Sequence, residues 1–257
     1  MSDLSSVLIS LPIRMYQQFK RIIKTIIPQK ILFEQEENLR RVLLPFYKGN
    51  DHTCVICETN LSIFAEAEYG TLLCPICGSL PRTRRLWKLL SEEFLKNGIS
   101  VLDFSPSRSI YRKLKKVENI HYFSSDFENE FLADYRFDIT KIEKTDNTFD
   151  LIICYHILEH IVDDVSAISE LYRVLKPGGH ILVQTPFREG NIYEDSSIVT
   201  EIDREKFFGQ NDHVRIYSAN GLQERLENSG FITQIRTLKK DRYLGLVENE
   251  RVIVCTK

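Results

Sequence analysis

Residues 146–161 read DNTFDLIICYHILEHI, and residues 167–179 read AISELYRVLKPGG. The run 149–154 in the first stretch is apolar without alternation, which is typical of a strand buried on both faces of a parallel sheet. The second stretch has the apolar spacing of a helix, and its final Pro-Gly-Gly predicts where that helix ends. The next six residues, 180–185, predict another strand. A strand, a helix and a strand in this order indicate an α/β fold.

The same alternation of strands and helices continues on both sides of this unit. Further strands are predicted at 99–104, 120–123, near 135–139, 231–238 and 250–256, and further helices at 106–117 and 218–229. The last two strands are joined by the short connection 241–249, which permits an antiparallel pair, because a parallel crossover needs about a dozen residues or more. We therefore predict a Rossmann-like, mostly parallel sheet of seven strands with an antiparallel last strand.

Two CxxC pairs precede the predicted sheet. Cys54 and Cys57 form the first pair, and Cys74 and Cys77 form the second. Two thiolates on each of two tight turns complete a tetrahedron around one zinc ion. Because cysteines would then fill all four positions, we expect this zinc to be structural. The alternative of four free buried cysteines is disfavoured by the doubled spacing.

Three segments are predicted along the chain. They are a helical lead segment at 1–50, a zinc-binding module with a linking helix at 51–96, and a Rossmann-like domain at 97–257. The lead segment contains a basic amphipathic helix over 12–30. We expect this helix to pack on the protein itself or on a second subunit, and peripheral contact with an anionic membrane is the alternative.

The charge balance argues against a protein that binds nucleic acid along its whole surface, because the formal net charge is -2. The predicted linking helix is nevertheless basic, with Arg82, Arg84, Arg85 and Lys88. We interpret these four residues as a solvated helix face, and a contact with nucleic-acid phosphates as the alternative. Metal-ligating and buried thiols indicate a reducing compartment, so we expect a cytoplasmic protein, with membrane association as the alternative.

A candidate cofactor turn follows the strand 99–104. The strand ends in Asp103 and Phe104 and turns at Ser105 and Pro106, and Asp126 lies 23 residues after Asp103. This layout places a nucleotide-like cofactor at the carboxyl ends of the strands, with its ribose near an acidic side chain. The turn contains no glycine, which disfavours a nicotinamide oxidoreductase, because pyrophosphate binding uses a glycine-rich turn.

The stretches quoted above, together with 212–218 (DHVRIYS) and 229–231 (SGF), resemble class I S-adenosylmethionine-dependent methyltransferases. The resemblance covers about residues 97–257, and some members of that class carry a CxxC…CxxC module ahead of this domain. It implies methyl transfer from S-adenosylmethionine to an oxygen or nitrogen of a small molecule or glycan. The first alternative is an RNA methyltransferase whose zinc module binds nucleic acid. The second is a non-catalytic binding protein, which the glycine-free turn motivates.

The resemblance also implies roles for individual residues. Asp126 would accept hydrogen bonds from the ribose hydroxyls, and Asp138 and Ile139 would hold the adenine. Tyr155 and His156 would lie beside the methyl-donor sulfur. The full cofactor set is Asp103, Phe104, Ser105, Pro106, Asp126, Asp138, Ile139, Tyr155 and His156.

Three histidines are candidates for the general base that an oxygen or nitrogen acceptor needs when it loses a proton. They are His156, His160 and His213. His213 is the preferred candidate because it lies in the long segment 186–217, and long excursions in compact domains tend to be functional. The alternative for each is a hydrogen-bonded structural histidine.

Overall fold

The computed structural model describes residues 29–67 and 70–257. The strands in chain order are β1 (Lys48–Cys54), β2 (Thr59–Leu61), β3 (Ala65–Glu66), β4 (Leu72–Leu73), β5 (Ser100–Phe104), β6 (His121–Ser125), β7 (Phe149–Tyr155), β8 (Leu175–Gln184), β9 (Tyr193–Glu194), β10 (Arg215–Ile216), β11 (Ile232–Leu238) and β12 (Glu250–Thr256). The α-helices are α1 (Gln29–Arg40), α2 (Leu44–Tyr47), α3 (Pro81–Leu89), α4 (Arg108–Leu114), α5 (Asp164–Val174), α6 (Glu201–Phe208) and α7 (Ala219–Glu227). Of the predicted lead helix over 12–30, residues 12–28 lie outside the described residues.

The chain divides into two compact units, and neither is continuous in sequence. The first, which we call the cysteine unit, contains the described residues up to 91 together with 108–113 and 239–248. The second, which we call the sheet unit, contains 92–107, 114–238 and 249–257. The chain-order bounds 1–50, 51–96 and 97–257 stay predictions.

The sheet unit contains a six-stranded sheet in the order β11-β12-β8-β7-β5-β6. Strands β6, β5, β7 and β8 are parallel. Strand β12 is antiparallel to both of its neighbours, β8 and β11. The predicted Rossmann-like α/β fold is therefore confirmed, including its antiparallel last strand.

The strand predicted near 135–139 does not join the sheet, so the prediction of seven strands is wrong by one. Tyr135 forms an isolated bridge with Ser125 at the end of β6, and Asp138 forms one with Lys141 in the same loop. Phe137 N then donates to Ser125 Oγ at 2.8 Å, so a side-chain hydroxyl takes the place of the next backbone acceptor. The backbone turns away after that point, where Thr140 N donates to Asp138 Oδ1. Local side-chain hydrogen bonds of this kind compete with strand pairing.

The core of the sheet unit explains why the quoted stretches decide the fold. Four consecutive β7 residues, 151–154, are buried, as expected for a central strand with helices on both faces. Helix α5 begins at an Asp163 N-cap, whose side chain accepts from Ser166 N, and buries the apolar face that the sequence predicts. Strand β8 begins at Leu175, five residues before the predicted position, and includes the Pro-Gly-Gly sequence.

The cysteine unit contains two small antiparallel strand pairs, β1–β2 and β3–β4. Its buried apolar residues include Leu61, Phe64 and Ile76. Such a small apolar core supplies little stabilisation, and a bound metal typically supplements it in domains of this size. Within the described residues, no helix combines the length and the apolar character needed to cross a membrane.

Candidate cofactor site and four-cysteine cluster

The turn after β5 is held in an unusual backbone conformation. Ser105 has φ 44°, in the left-handed region that favours glycine. Its backbone N donates to Ser125 O at 2.7 Å, and its Oγ donates to Asp126 Oδ1 at 2.7 Å. These two bonds tie the ends of the adjacent strands β5 and β6 together. A serine thus takes the backbone conformation that a glycine adopts at no steric cost.

Asp126 follows β6 and uses its carboxylate largely within the protein. Oδ2 accepts from Glu130 N at 2.6 Å and from Phe131 N at 3.0 Å, while Oδ1 accepts from Ser105. A carboxylate offers about four lone-pair sites, so these bonds leave one on Oδ1. The side chain therefore shapes the loop 126–131 and retains one position for a ligand hydroxyl.

The remaining members of the predicted first cofactor loop are buried. Asp103, Phe104 and Pro106 are enclosed, and Asp103 is 2% exposed. Ser105, which is only partly buried, is therefore more accessible than these three residues.

The predicted adenine residues lie in different surroundings. Asp138 is exposed, and its Oδ1 accepts from both Thr140 N at 2.8 Å and Thr140 Oγ1 at 2.7 Å. Ile139 is 5% exposed and packs in the core. Asp138 thus caps its own turn, which agrees with an ordinary structural role for that carboxylate.

The carboxyl end of β7 carries a second strained residue. His156 has φ 57°, which is uncommon for a residue other than glycine, and its N donates to Gln184 O at 2.7 Å. Tyr155, the last residue of β7, lies opposite Gln184 on β8. Strain of this kind clusters at functional sites, so the edge formed by β5, β7 and β8 is the candidate site.

Four buried polar atoms at this edge have no hydrogen-bond partner within the described part of the chain. They are Ser107 Oγ, His156 Nε2, Gln184 Oε1 and Thr185 Oγ1. Buried polar groups in native proteins are almost always paired with protein, water or ligand. The four atoms follow three adjacent parallel strands, so the chemistry of the donor set fits a polar ligand bound across their ends. Gln184 and Thr185 were not predicted from the sequence, since no spacing distinguishes them from other strand residues.

Two of the three candidate histidines, His160 and His213, are in contact beyond β7. The rings of His160 and His213 lie 4.7 Å apart between centroids, and His160 Nδ1 lies 3.1 Å from Asp212 Oδ2. Burial lowers the pKa of His213, and the neighbouring His160 lowers it further. His213 therefore holds an available lone pair near neutral pH, which a proton acceptor or a metal ligand needs.

Glu159 joins this cluster and was missed by the sequence prediction. It is 1% exposed, and its Oε1 lies 3.3 Å from His156 Nδ1. Burial acts to raise the pKa of this carboxyl, but the interaction with His156, a backbone N–H and the nearby His160 together outweigh burial and leave the pKa lowered. Its position between His156 and His160 in HILEH was the available signal, because residues three or four apart share a helical face.

The four cysteines predicted to bind zinc converge in the cysteine unit. Cys54 Sγ lies 3.6 Å from Cys77 Sγ, and Cys57 Sγ lies 3.7 Å from Cys74 Sγ. A tetrahedral zinc ion with bonds of about 2.3 Å places its sulfurs about 3.8 Å apart. The donor set and its spacing thus fit one zinc ion.

The two CxxC turns have matching backbone geometry. Glu58 N donates to Cys54 O at 2.7 Å, and Gly78 N donates to Cys74 O at 3.0 Å. Glu58 and Gly78 both have positive φ, of 57° and 76°. Each CxxC pair therefore closes through one equivalent hydrogen bond and one left-handed residue, which directs its two sulfurs to a common point.

The prediction that the basic residues of α3 form a solvated face is wrong for two of them. Arg84 is 0% exposed and Arg85 is 5% exposed. Arg84 donates to backbone carbonyls of Ser79, Leu72, Leu244 and Gly245. Arg85 donates to Lys239 O and Val247 O. Because the segment 239–248 presents its carbonyls to α3, these guanidinium groups are enclosed and do not offer charge to a phosphate.

Comparisons with known proteins place the chain in a family. A family model described as a methyltransferase domain matches residues 81–233, which is more than half of the chain. The chain therefore belongs to this methyltransferase family. The match covers β5 to β8 and the histidine cluster.

Curated relatives are similar over shorter stretches. A ubiquinone biosynthesis O-methyltransferase of Aliivibrio fischeri is 25% identical over 152 residues, which cover 53% of this chain and 60% of the relative. A protein with the same name from Xanthomonas oryzae is 31% identical over 101 residues, covering 38% of each. The matches thus span 60% or less of the length of these relatives.

A solved structure of a SAM-dependent methyltransferase from Archaeoglobus fulgidus is 17% identical, with a TM-score of 0.48. It covers 68% of this chain and 93% of that one.

Proposed function

We propose that this protein transfers a methyl group from S-adenosylmethionine to an oxygen or nitrogen of a small molecule or glycan. The observation that carries the proposal is the set of four unpartnered buried polar atoms at the ends of β5, β7 and β8. Membership of the methyltransferase family supports the same assignment. When bound, the cofactor supplies a methyl group on a positively charged sulfur. The protein's own part is mainly to orient donor and acceptor.

The proposed cofactor residues surround the edge formed by β5, β6 and β7. Asp126 offers one free acceptor position on Oδ1 to a ribose hydroxyl, while its other bonds fix the loop beside it. Ser105 presents backbone next to it. Tyr155 and His156 follow the central strand, where we place the sulfur end. Asp138 and Ile139 remain the proposed adenine residues. The role of Asp138 there is to shape the turn that it caps.

The proposed acceptor side is the histidine cluster of His156, His160 and His213. The cluster holds lone pairs at a strand end that also carries strained backbone. An acceptor oxygen or nitrogen that must lose a proton is activated there. We propose a structural zinc ion in the four-cysteine cluster, since all its positions are filled by sulfur.

Binding of S-adenosylmethionine tests the proposal by isothermal titration calorimetry, with Asp126→Asn as the decisive variant. The introduced amide retains an oxygen for Glu130 N and Phe131 N, and its nitrogen donates to Ser105 Oγ, so the loop keeps its bonds. It leaves no acceptor for a ribose hydroxyl. Loss of a hydrogen bond to a charged group weakens binding about 10- to 100-fold.

Asp146→Asn is the matched control, because Asp146 is exposed and pairs with Arg173 at the surface. We expect this control to bind as the unmodified protein does. No binding by the folded unmodified protein, or equal binding by Asp126→Asn, contradicts the proposal.

A further inference from the structure

Three side chains of types that can bind a metal ion lie close together in the sheet unit. They are separate from the four cysteines, which belong to the cysteine unit. Ligand atoms of Glu159, His160 and His213 all lie within 4.8 Å of one another. Backbone hydrogen bonds fix both segments that carry them. Val214 N donates to Glu159 O at 2.9 Å, and His160 N donates to Ile157 O at 3.0 Å. The arrangement therefore belongs to the fold and does not depend on free surface side chains.

The carboxylate of Glu159 is the feature that calls for a ligand. It is 1% exposed, and neither oxygen has a hydrogen-bond partner within the described residues. His156 Nδ1 lies 3.3 Å from Oε1. A carboxylate buried in this way is unfavourable unless a cation or several donors compensate it.

We propose that Glu159, His160 and His213 bind a divalent transition-metal ion. Two imidazoles and a carboxylate are a donor set that suits zinc, cobalt or iron. Three protein ligands leave at least one coordination position open. An ion with bonds of about 2.05 Å places tetrahedral ligands about 3.3 Å apart, so ligand atoms that lie within 4.8 Å of one another approach by at most about 1.5 Å when the ion binds.

Asp212 provides a second, independent indication. Its Oδ2 lies 3.1 Å from His160 Nδ1, which leaves His160 Nε2 as the nitrogen that binds metal. Metal-ligating histidines almost always donate their other ring N–H to a carboxylate or carbonyl, and this contact fixes the ring and its tautomer. The side chain of His160 is 31% exposed, so the open side of the site reaches solvent.

A role for this metal ion in activating the methyl acceptor rests on the proposed function. A hydroxyl bound at the open position is made more acidic by the cation. Its O–H bond breaks, the proton passes to water, and the oxygen uses the electron pair it keeps to form a bond to the methyl carbon. The carbon–sulfur bond of the donor breaks at the same time, and its electron pair goes to sulfur, which leaves as a neutral thioether. The acceptor is then a hydroxyl compound, and His160 and His213 act as ligands.

Cobalt titration of protein reconstituted with one equivalent of zinc per chain, enough to fill only the four-cysteine cluster, tests the metal site without any methyl donor. Zinc in the four-cysteine cluster resists replacement, because zinc binds such sites more tightly than cobalt. We expect one further equivalent of Co²⁺ per chain, with a visible spectrum that lacks sulfur-to-cobalt charge transfer. We expect at least 100-fold weaker binding in His160→Gln and in His213→Gln. Asp212→Asn should weaken binding about 10- to 100-fold.

His121→Gln is the control, since His121 is an exposed histidine at the start of β6. It should bind cobalt as the unmodified protein does. His160→Gln alters a partly exposed ring, so its circular dichroism and melting temperature show whether the fold is kept. Absence of a second equivalent in the unmodified protein, or unchanged binding in a folded His160→Gln, overturns the inference. Either result leaves the calorimetric test with S-adenosylmethionine standing on its own.

Discussion

The hydroxyl of Tyr122 donates a hydrogen bond of 2.9 Å to Asp103 Oδ2. The two residues lie on the adjacent strands β6 and β5, and Asp103 is 2% exposed. Burial raises the pKa of Asp103 to about 8, and the Tyr122 hydrogen bond opposes part of that rise. The sheet unit therefore contains a carboxyl group that keeps its proton near neutral pH.

This relationship predicts a pH-dependent stability. The folded protein keeps the Asp103 proton up to about pH 8, whereas the unfolded chain releases it near pH 3.9. The folded state then binds more protons between these values, so the free energy of unfolding falls as the pH rises through this window. Asp103→Asn keeps an acceptor for Tyr122 and has no proton to lose. Urea denaturation should show a smaller fall for this variant than for the unmodified protein.

The surface variant Asp146→Asn serves as the control for this comparison and should keep the steeper fall. Parallel stability curves for Asp103→Asn and the unmodified protein would show that Asp103 is ionised in the folded state.

If the four-cysteine cluster binds zinc, replacing one of its cysteines should cause a specific loss of zinc. Cys57→Ser removes one of four ligands, and we expect the zinc content of the purified protein to drop from about one equivalent to near zero. A chelator should lower the melting temperature of the unmodified protein and leave that of Cys57→Ser unchanged, because metal binding and folding are coupled.

Cys154→Ala is the matched control, since Cys154 is buried in β7 and not in the cluster. This variant loses core packing but should retain its zinc. Zinc loss in Cys154→Ala, or retention in Cys57→Ser, would contradict the assignment of the four ligands.

Replacing Arg84 by lysine, which keeps the charge, should strongly lower the stability of the protein. The Arg84 guanidinium serves four backbone carbonyls at once, and its carbon Cζ lies 4.2 Å from the centroid of the Phe64 ring. Lysine cannot reproduce this planar fork. We expect Arg84→Lys to lower the free energy of unfolding by about 2–4 kcal/mol, measured by urea denaturation. Arg82→Lys, on the exposed side of the same helix, should change it little.

Replacing Arg215 should loosen the turn that carries Glu159 and His160. The Arg215 guanidinium donates to Leu158 O, Ile161 O and Val162 O. Arg215→Lys should therefore increase amide hydrogen exchange across residues 158–162, because lysine loses the fork that joins these carbonyls. Arg251→Lys, whose partner Glu189 is exposed, should leave exchange in this turn unchanged. Equal protection in both variants would show that other contacts hold the turn.

The sequence predicted the sheet well where strands are central and apolar. Residues 149–154 lie within β7, and 250–256 coincides with β12, because uninterrupted apolar runs have few other stable positions. The prediction of a strand at 135–139 is wrong, because side-chain hydrogen bonds of Ser125 and Asp138 take the place of strand pairing there. Such local competition is not visible in hydrophobic periodicity.

The candidate site was predictable to a lesser extent. CxxC spacing brought the four cysteines together correctly, since a short turn fixes the distance between paired sulfurs. The burial of Arg84 and Arg85 could not be foreseen, because most of their acceptors come from residues more than 150 positions further along the chain. The resemblance implies a ligand role for Asp126, whereas the structure shows that this side chain mainly organises its own loop.

The interleaved composition of the cysteine unit has a consequence for biosynthesis. Four of the six carbonyls that Arg84 and Arg85 bind lie in 239–248, a segment that the ribosome adds after every strand of the sheet except β12. The thiolates are ready for metal once residue 77 has emerged, but the buried guanidiniums must wait for almost the whole chain. Capture of the proposed zinc and completion of this unit would thus be separated in time during translation. A fragment ending before residue 239 would lack both carbonyl acceptors of Arg85 and two of the four that Arg84 binds.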